Sequence, residues 1–258
     1  MKQLIIMSII SLSIIFGGCN QAKKNEVEAQ AAKPDPVEVS KASAIYEVNI
    51  RQYTPEGTLE AFIPHIPRLK KLGVDILWLM PIYPIGEKNR KGSMGSYYAI
   101  KDYKAVNPEF GSKEDFQKLV KKAHENDMMI ILDWVANHTA WDHPWIEKHP
   151  EWYTKDSTGK IVTPVKDWSD VADLNYENQK LRAAMTDALV YWVKEFNIDG
   201  YRCDVANMVP NDFWEDARNA MEKVKPVFML AEAEEPKLHK KAFDANYAWE
   251  LHHIMNNV

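Results

Sequence analysis

The sequence predicts an α/β fold, a (β/α)8 TIM barrel with about six of the eight strands present. Three observations lead there. From residue 44 onward, short apolar runs alternate with stretches whose apolar positions recur at helical spacing, the pattern of parallel strands joined by helical crossovers. Several runs end in charged residues: Met129 to Leu132 in Asp133, Ile198 to Cys203 in Asp204, and Val227 to Ala231 in Glu232. The C-terminal strand ends of a parallel barrel open onto one face, so these carboxylates are expected to converge there. Finally, 258 residues that are 46% hydrophobic suffice for one large core, and such barrels take about 250 residues.

The N-terminus is a separate object. Leu4 to Phe16 is apolar apart from Ser8, Ser11 and Ser13, and follows Lys2. It is shorter than the roughly 20 residues that cross a bilayer and has the size of a signal-peptide core. Phe16-Gly17-Gly18-Cys19 resembles a bacterial lipoprotein processing site, so residues 1–18 are expected to be removed and Cys19 lipidated. That places the protein in the cell envelope, held to a membrane by its lipid. Residues 19–43, polar and carrying Pro34 and Pro36, read as a disordered tether. The catalytic-type domain is residues 44–258.

Ala44 to Gln52 is the first predicted strand. Leu59, Phe62, Ile63, Ile66, Leu69 and Leu72 mark a helix that Gly73 ends. Asp75 to Met80 is the second strand, halted by Pro81. Ser112 and Asp115 form a capping-box pattern at the start of a helix running to about Glu125, before a third strand from Met128 to Asp133. Leu181, Met185, Ala188, Leu189, Trp192, Val193 and Phe196 define the helix leading to the fourth strand at Ile198. Trp214, Ala217 and Met221 mark the helix before the fifth at Val227. Asp244 to Trp249 is the sixth strand, with its helix barely begun at Val258. Two connections are long. Residues 83–106 contain Gly86, Gly92 and Gly95, which suits a mobile loop; residues 138–173 hold Trp141, Trp145, Trp152, Tyr153 and Trp168.

A net charge of −5 without a basic stripe argues against nucleic acid as a partner. Nine tryptophans and eleven tyrosines suit stacking on sugars and filling a core equally well. Cys203 lies between Arg202 and Asp204 on a strand, so it faces the opposite way and reads as a buried apolar residue.

Four segments carry a family resemblance. Asp133 to His138 (DWVANH), Asp173-Leu174-Asn175, Gly200 to Asp204 (GYRCD) and Ala231-Glu232 resemble, in the same order, signature segments of the α-amylase family, glycoside hydrolase family 13. The likeness runs from about Ala44 to the end of the chain. It implies Asp204 as nucleophile, Glu232 as general acid/base and Arg202 as the cation holding Asp204 ionised, the three candidate catalytic residues. Retaining glycosidases place two such carboxyls about 5–5.5 Å apart. The resemblance further implies that His138 bonds sugar hydroxyls, that Tyr98 stacks beneath the sugar (with Tyr97 its alternative), and that Asp133 organises the substrate loop and the arginine. Residues 138–175 would form an inserted small B domain. Asn137 and Asp173, with Met208, fall at calcium-binding positions, which makes calcium the one cofactor to expect. Asn207-Met208 replaces the Lys-His pair of many α-amylases, a departure from the endo-acting pattern.

A further aspartate expected after a seventh strand has no counterpart, so a C-terminally truncated and inactive chain is expected. The implied activity is retaining hydrolysis of α-1,4-glucosidic bonds in starch-like glucans or maltooligosaccharides. Transglycosylation, exo-α-glucosidase action and non-catalytic glucan binding are the alternatives.

Overall fold

The computed structural model describes residues 35–257. The signal peptide 1–18, Cys19 and the tether up to residue 34 lie outside the described residues. Within the rest of the tether, Pro36–Ser40 forms a helix (α1) where disorder was expected. Asp35 accepts from the Val37 N–H at 2.9 Å and Pro36 occupies the first turn, a cap and a preset φ that together start a helix.

Six parallel strands build the main sheet: β1 (Ala44–Val48), β2 (Val74–Leu79), β3 (Met129–Trp134), β6 (Gly200–Cys203), β7 (Phe228–Ala231) and β8 (Ala245–Asn246), in that spatial order. Between β3 and β6, β4 (His138–Ala140) pairs antiparallel with β5 (Val171–Asp173), closing the long excursion expected as an inserted domain. The helices are α2 (Ile50–Tyr53), α3 (Leu59–Phe62), α4 (Ile66–Leu72), α5 (Lys113–His124), α6 (Pro144–Lys148), α7 (Gln179–Phe196), α8 (Asn211–Glu222) and α9 (Trp249–Asn256). This is the βα alternation of a (β/α)8 barrel. No helix among the described residues is long and apolar enough to cross a membrane.

Local signals explain most boundaries. Gly73 ends α4 at φ +97°, a left-handed position that suits glycine. Ser112 and Asp115 form a complete capping box on α5. Two boundaries differ from expectation. β1 stops at Val48, because Asn49 opens the one-turn helix α2 instead of continuing to Gln52. β8 is only two residues long, and its following helix starts at Trp249. The Glu234 carboxylate accepts the Glu250 N–H at 2.8 Å, so the cap that starts α9 comes from a distant part of the chain.

Alternation divides the strands into two faces. Leu77, Leu79, Ile130, Leu132, Tyr201, Cys203, Met229 and Ala231 join the core shared with the helices. Ile76, Met129, Ile131, Phe228 and Leu230 form a second cluster on the inner face, against Trp78, Ala245 and Tyr247. Cys203 is fully buried in the helix-side core, opposite Arg202. Gly200, at φ +154°, lies so close to β7 that a Cβ would sit 1.8 Å from the Phe228 carbonyl oxygen.

One device recurs at the N-terminal ends of the strands. Asp75 accepts from the Ala44 N–H at 3.3 Å, Asp199 from Ile130 N–H at 2.9 Å, and Asp244 from Met229 N–H at 2.9 Å. Each aspartate thus bonds the backbone of the neighbouring strand. Each is also paired with a base: Lys70 at 3.0 Å for Asp75, His124 at 2.7 Å and Lys225 at 2.9 Å for Asp199, Arg218 at 2.9 Å for Asp244.

Candidate active site

At the opposite ends of the strands the predicted carboxylates come together around one cation. Backbone pairing continues past the strand ends, with Asp204 N–H donating to Trp134 O at 2.9 Å and Glu232 N–H to Cys203 O at 3.0 Å. That extension brings the two side chains to one rim. Arg202 Nη1 donates to Asp133 Oδ1 at 2.9 Å and Oδ2 at 3.2 Å, and to Asp204 Oδ1 at 3.2 Å. Its Nη2 lies 2.7 Å from Glu232 Oε1. Glu232 Oε2 accepts from the Val205 N–H at 2.9 Å.

Three carboxylates around a single buried guanidinium would leave a surplus of negative charge, so the cluster retains a proton. Burial, ahead of the opposing attraction of Arg202, pushes Asp133 up to about 7. Burial and then the charge of Asp133 raise Asp204 as well. Asp133 receives donors from Arg202, from Trp78 Nε1 at 3.1 Å and from Tyr98 Oη at 3.3 Å, all of which favour its ionised form. The nearby charge of Glu232 raises Asp204 further. For Arg202, burial opposes the charge, but Asp133, Tyr247, Glu232 and Asp204 outweigh it and keep the guanidinium protonated. Asp133 and Arg202 are buried; the Glu232 side chain keeps 23% of its surface exposed and is the most accessible of the three carboxyls.

The geometry separates Tyr98 from its neighbour. Tyr97 turns away, its hydroxyl donating to Asn49 Oδ1 and its ring under Arg51 at 4.4 Å. Tyr98 is the one that reaches Asp133. His138 is buried, with Nδ1 3.2 Å from Asn137 Nδ2 and a further hydrogen bond to the Tyr98 backbone. Burial lowers it to about 4, so it is neutral at physiological pH. The residue 83–106 connection is tied down: buried Tyr103 donates to Val135 O at 2.7 Å and His138 O at 2.9 Å, and Ala140 N–H bonds Ile100 O. The excursion's aromatics mostly pack on each other, as in the edge-on pair Trp145–Trp152 and the stacked pair His149–Trp152.

Of the expected calcium donors, Asn137 precedes β4 and Asp173 ends its partner strand β5. Asn137 is buried with its side-chain nitrogen toward His138, and its main-chain carbonyl accepts from Leu174 N–H. Asp173 is half-buried, raised by burial, and accepts a side-chain bond from Thr154. Met208 lies exposed on the turn Ala206–Met208. Calcium takes about six to eight oxygens, and no group of three or more His, Cys, Asp or Glu side chains among the described residues is placed to hold a metal. No chemical step is assigned to a metal here.

Three participants escaped the sequence reading. Trp78 and Tyr247 lie near the Arg202 guanidinium, their ring centres 4.8 and 5.6 Å from its central carbon. Trp78 shares the inner face with Ile76, so strand alternation could have found it. Val205 has φ +36°, a strained left-handed position for a β-branched residue, and it is the turn that aims its N–H at Glu232. No residue type in the sequence announces that conformation.

Comparison with known proteins agrees with this geometry. The profile of the α-amylase catalytic domain matches residues 25–170 and 152–256. An α-1,4-glucan:maltose-1-phosphate maltosyltransferase of Cereibacter sphaeroides is 34% identical over 236 residues, covering 81% of this chain and 35% of that protein. The crystal structure of an α-amylase from Lactobacillus plantarum superposes with TM-score 0.80 at 41% identity, covering 83% of this chain and 55% of that one. A maltogenic α-amylase from Thermotoga neapolitana gives 0.79 at 40% identity, with 83% and 51% covered. The chain thus spans about half the length of these solved relatives.

Proposed function

The chain belongs to the α-amylase catalytic-domain family, and on that premise we propose that it carries the nucleophile and the acid/base of a retaining enzyme acting on α-1,4-linked glucose polymers or oligomers. The observation that carries this reading is the convergence of Asp204 and Glu232 on Arg202, 3.2 and 2.7 Å from its two terminal nitrogens. Asp204 attacks the anomeric carbon while Glu232 gives its proton to the departing glycosidic oxygen, leaving a glucosyl ester on Asp204. Glu232, now a carboxylate, takes a proton from water or a sugar hydroxyl, which displaces Asp204 and restores the starting state. Arg202 favours the anionic form of Asp204 against the burial and the Asp133 charge that raise it, and Asp133 fixes Arg202 from behind. Tyr98 offers its ring beside this cluster for the sugar face.

Transfer to a second sugar is the alternative outcome. It is favoured by maltosyltransferases among the relatives and by Asn207-Met208 in place of Lys-His. A 5-fluoro-α-glucosyl donor tests the mechanism: mass spectrometry should find the label on the peptide bearing Asp204. Proton NMR of the first product should show the α-anomer, and added maltose separates transfer from hydrolysis. A label on Glu232 or a β-anomeric product would reverse the assigned roles. Glucan binding with neither label nor turnover would favour the non-catalytic reading.

We also propose lipid attachment at Cys19 after removal of residues 1–18, from the apolar run that meets Gly17-Gly18-Cys19. Mass spectrometry of the mature N-terminus decides it: an unacylated chain cut elsewhere refutes it.

A further inference from the structure

Arg202 serves three carboxylates at once, and a planar cation can do so in only one orientation. Its Nη1 faces Asp133 and Asp204, its Nη2 faces Glu232. Rotation about the last side-chain bonds would redistribute those contacts, so something must fix the roll of the plane. The third nitrogen does this. Nε donates to Tyr247 Oη at 3.1 Å, while the Trp78 ring lies near the guanidinium, 4.8 Å from its central carbon.

Tyr247 is delivered by a short stretch of chain. β8 ends at Asn246, and the Tyr247 N–H then bonds Ala233 O at 3.1 Å, next to Glu232. Its half-buried ring packs edge-on against Trp249 at 5.4 Å. A phenylalanine would keep those ring contacts and lose only the acceptor.

Resting on the function proposed above, we infer that Tyr247 is a positioning residue for the reaction: by holding Arg202 Nε it assigns Nη1 to the nucleophile Asp204 and Nη2 to the acid/base Glu232. Without that hold, the guanidinium turns and its contacts to Asp204 and Glu232 are redistributed. The charged and titratable groups around this point are Asp133 on β3, Asp204 beyond β6, Glu232 beyond β7, Tyr98 from the long connection, Tyr247 itself, and Glu47 on β1 through its effect on Tyr98.

The test compares Tyr247→Phe with the unaltered chain by two readouts. The first is carboxyl carbon NMR titration of Asp133, Asp204 and Glu232. The second is steady-state turnover of maltooligosaccharides as a function of pH. Tyr247→Phe is expected to shift the titration of Asp204, to move the acidic limb of the rate profile, and to lower kcat about tenfold with KM within about twofold. The thermal midpoint should hardly move. Unmoved carboxyl titrations, with or without a lowered melting point, would show that Tyr247 only packs and would overturn the inference. Failure of the functional reading looks different: the unaltered chain would neither turn over glucan nor take the fluoroglucosyl label, and the titrations alone would then decide on Tyr247.

Discussion

The two ends of the same strands hold buried aspartates in opposite electrostatic company. At the N-terminal end Asp199 has two basic partners, His124 and Lys225, and the Ile130 N–H; these outweigh burial and hold its carboxyl below the usual range. At the C-terminal end Asp133, Asp204 and Glu232 share the single Arg202, and burial raises Asp133 and Asp204. One cluster has all the cations it needs, and the other is short of them. The first stabilises the fold. The second holds a proton ready to move, which costs stability and supplies chemistry.

The sharpest break in this symmetry should come from Asp204→Asn. In an enzyme of the relatives' full length it should cut turnover by about 10⁴-fold or more, because the nucleophile is lost. The melting point should stay level or rise, since a destabilised carboxyl is removed; steady-state assays beside calorimetry check both. The mirror experiment is Asp199→Asn. Breaking a buried, paired charge costs about 3 kcal/mol of stability, seen in urea unfolding, while kcat per folded molecule should be unchanged. A loss of activity without a loss of stability there would dissolve the distinction between the ends.

The pH dependence of stability should also divide. Asp133 has a folded-state value raised to about 7, above its unfolded value, so the folded chain binds the extra proton between those limits. Its contribution is therefore present at low pH and lost as pH rises toward 7. Asp199 is lowered, so its contribution is present at higher pH and lost as pH falls through its folded value. Asp133→Asn should remove a loss on the order of 4 kcal/mol between about pH 4 and 7, measured by chemical unfolding across that range. The smallest effect is expected from chelation. Asn137 and Asp173 supply two of the roughly six to eight oxygens that calcium takes, so removing divalent cations should move the melting point by less than about 1 °C; a shift of several degrees would show a bound cation there.

Much of this was legible in the chain. The strand-end positions of Asp133, Asp204 and Glu232 follow from apolar runs with a charged last residue. Cys203 was placed by alternation, and the helices α5 and α7 by capping and periodicity. What was not legible depends on contacts between distant segments. Tyr98 and Tyr97 are identical side by side, and only the Arg51 and Asn49 contacts of Tyr97 separate them. The early start of α9 depends on a cap supplied by Glu234, sixteen positions before Glu250. Tyr247 looked like one more strand residue until Arg202 lay next to it.

The aspartates at the strand starts have a consequence for how neighbouring strands are aligned. β3, β6 and β7 are buried at every position, so burial alone gives little penalty for sliding one strand past the next. Asp75, Asp199 and Asp244 each tie one strand start to one particular amide in the strand beside it. A slip of two residues would keep the apolar faces matched but strand a carboxylate away from its N–H. These three residues therefore act as index marks along the sheet. Because they stand at the far end from the carboxylate cluster, the ångström-scale alignment of Asp204 with Glu232 is set in part by residues that never approach a sugar.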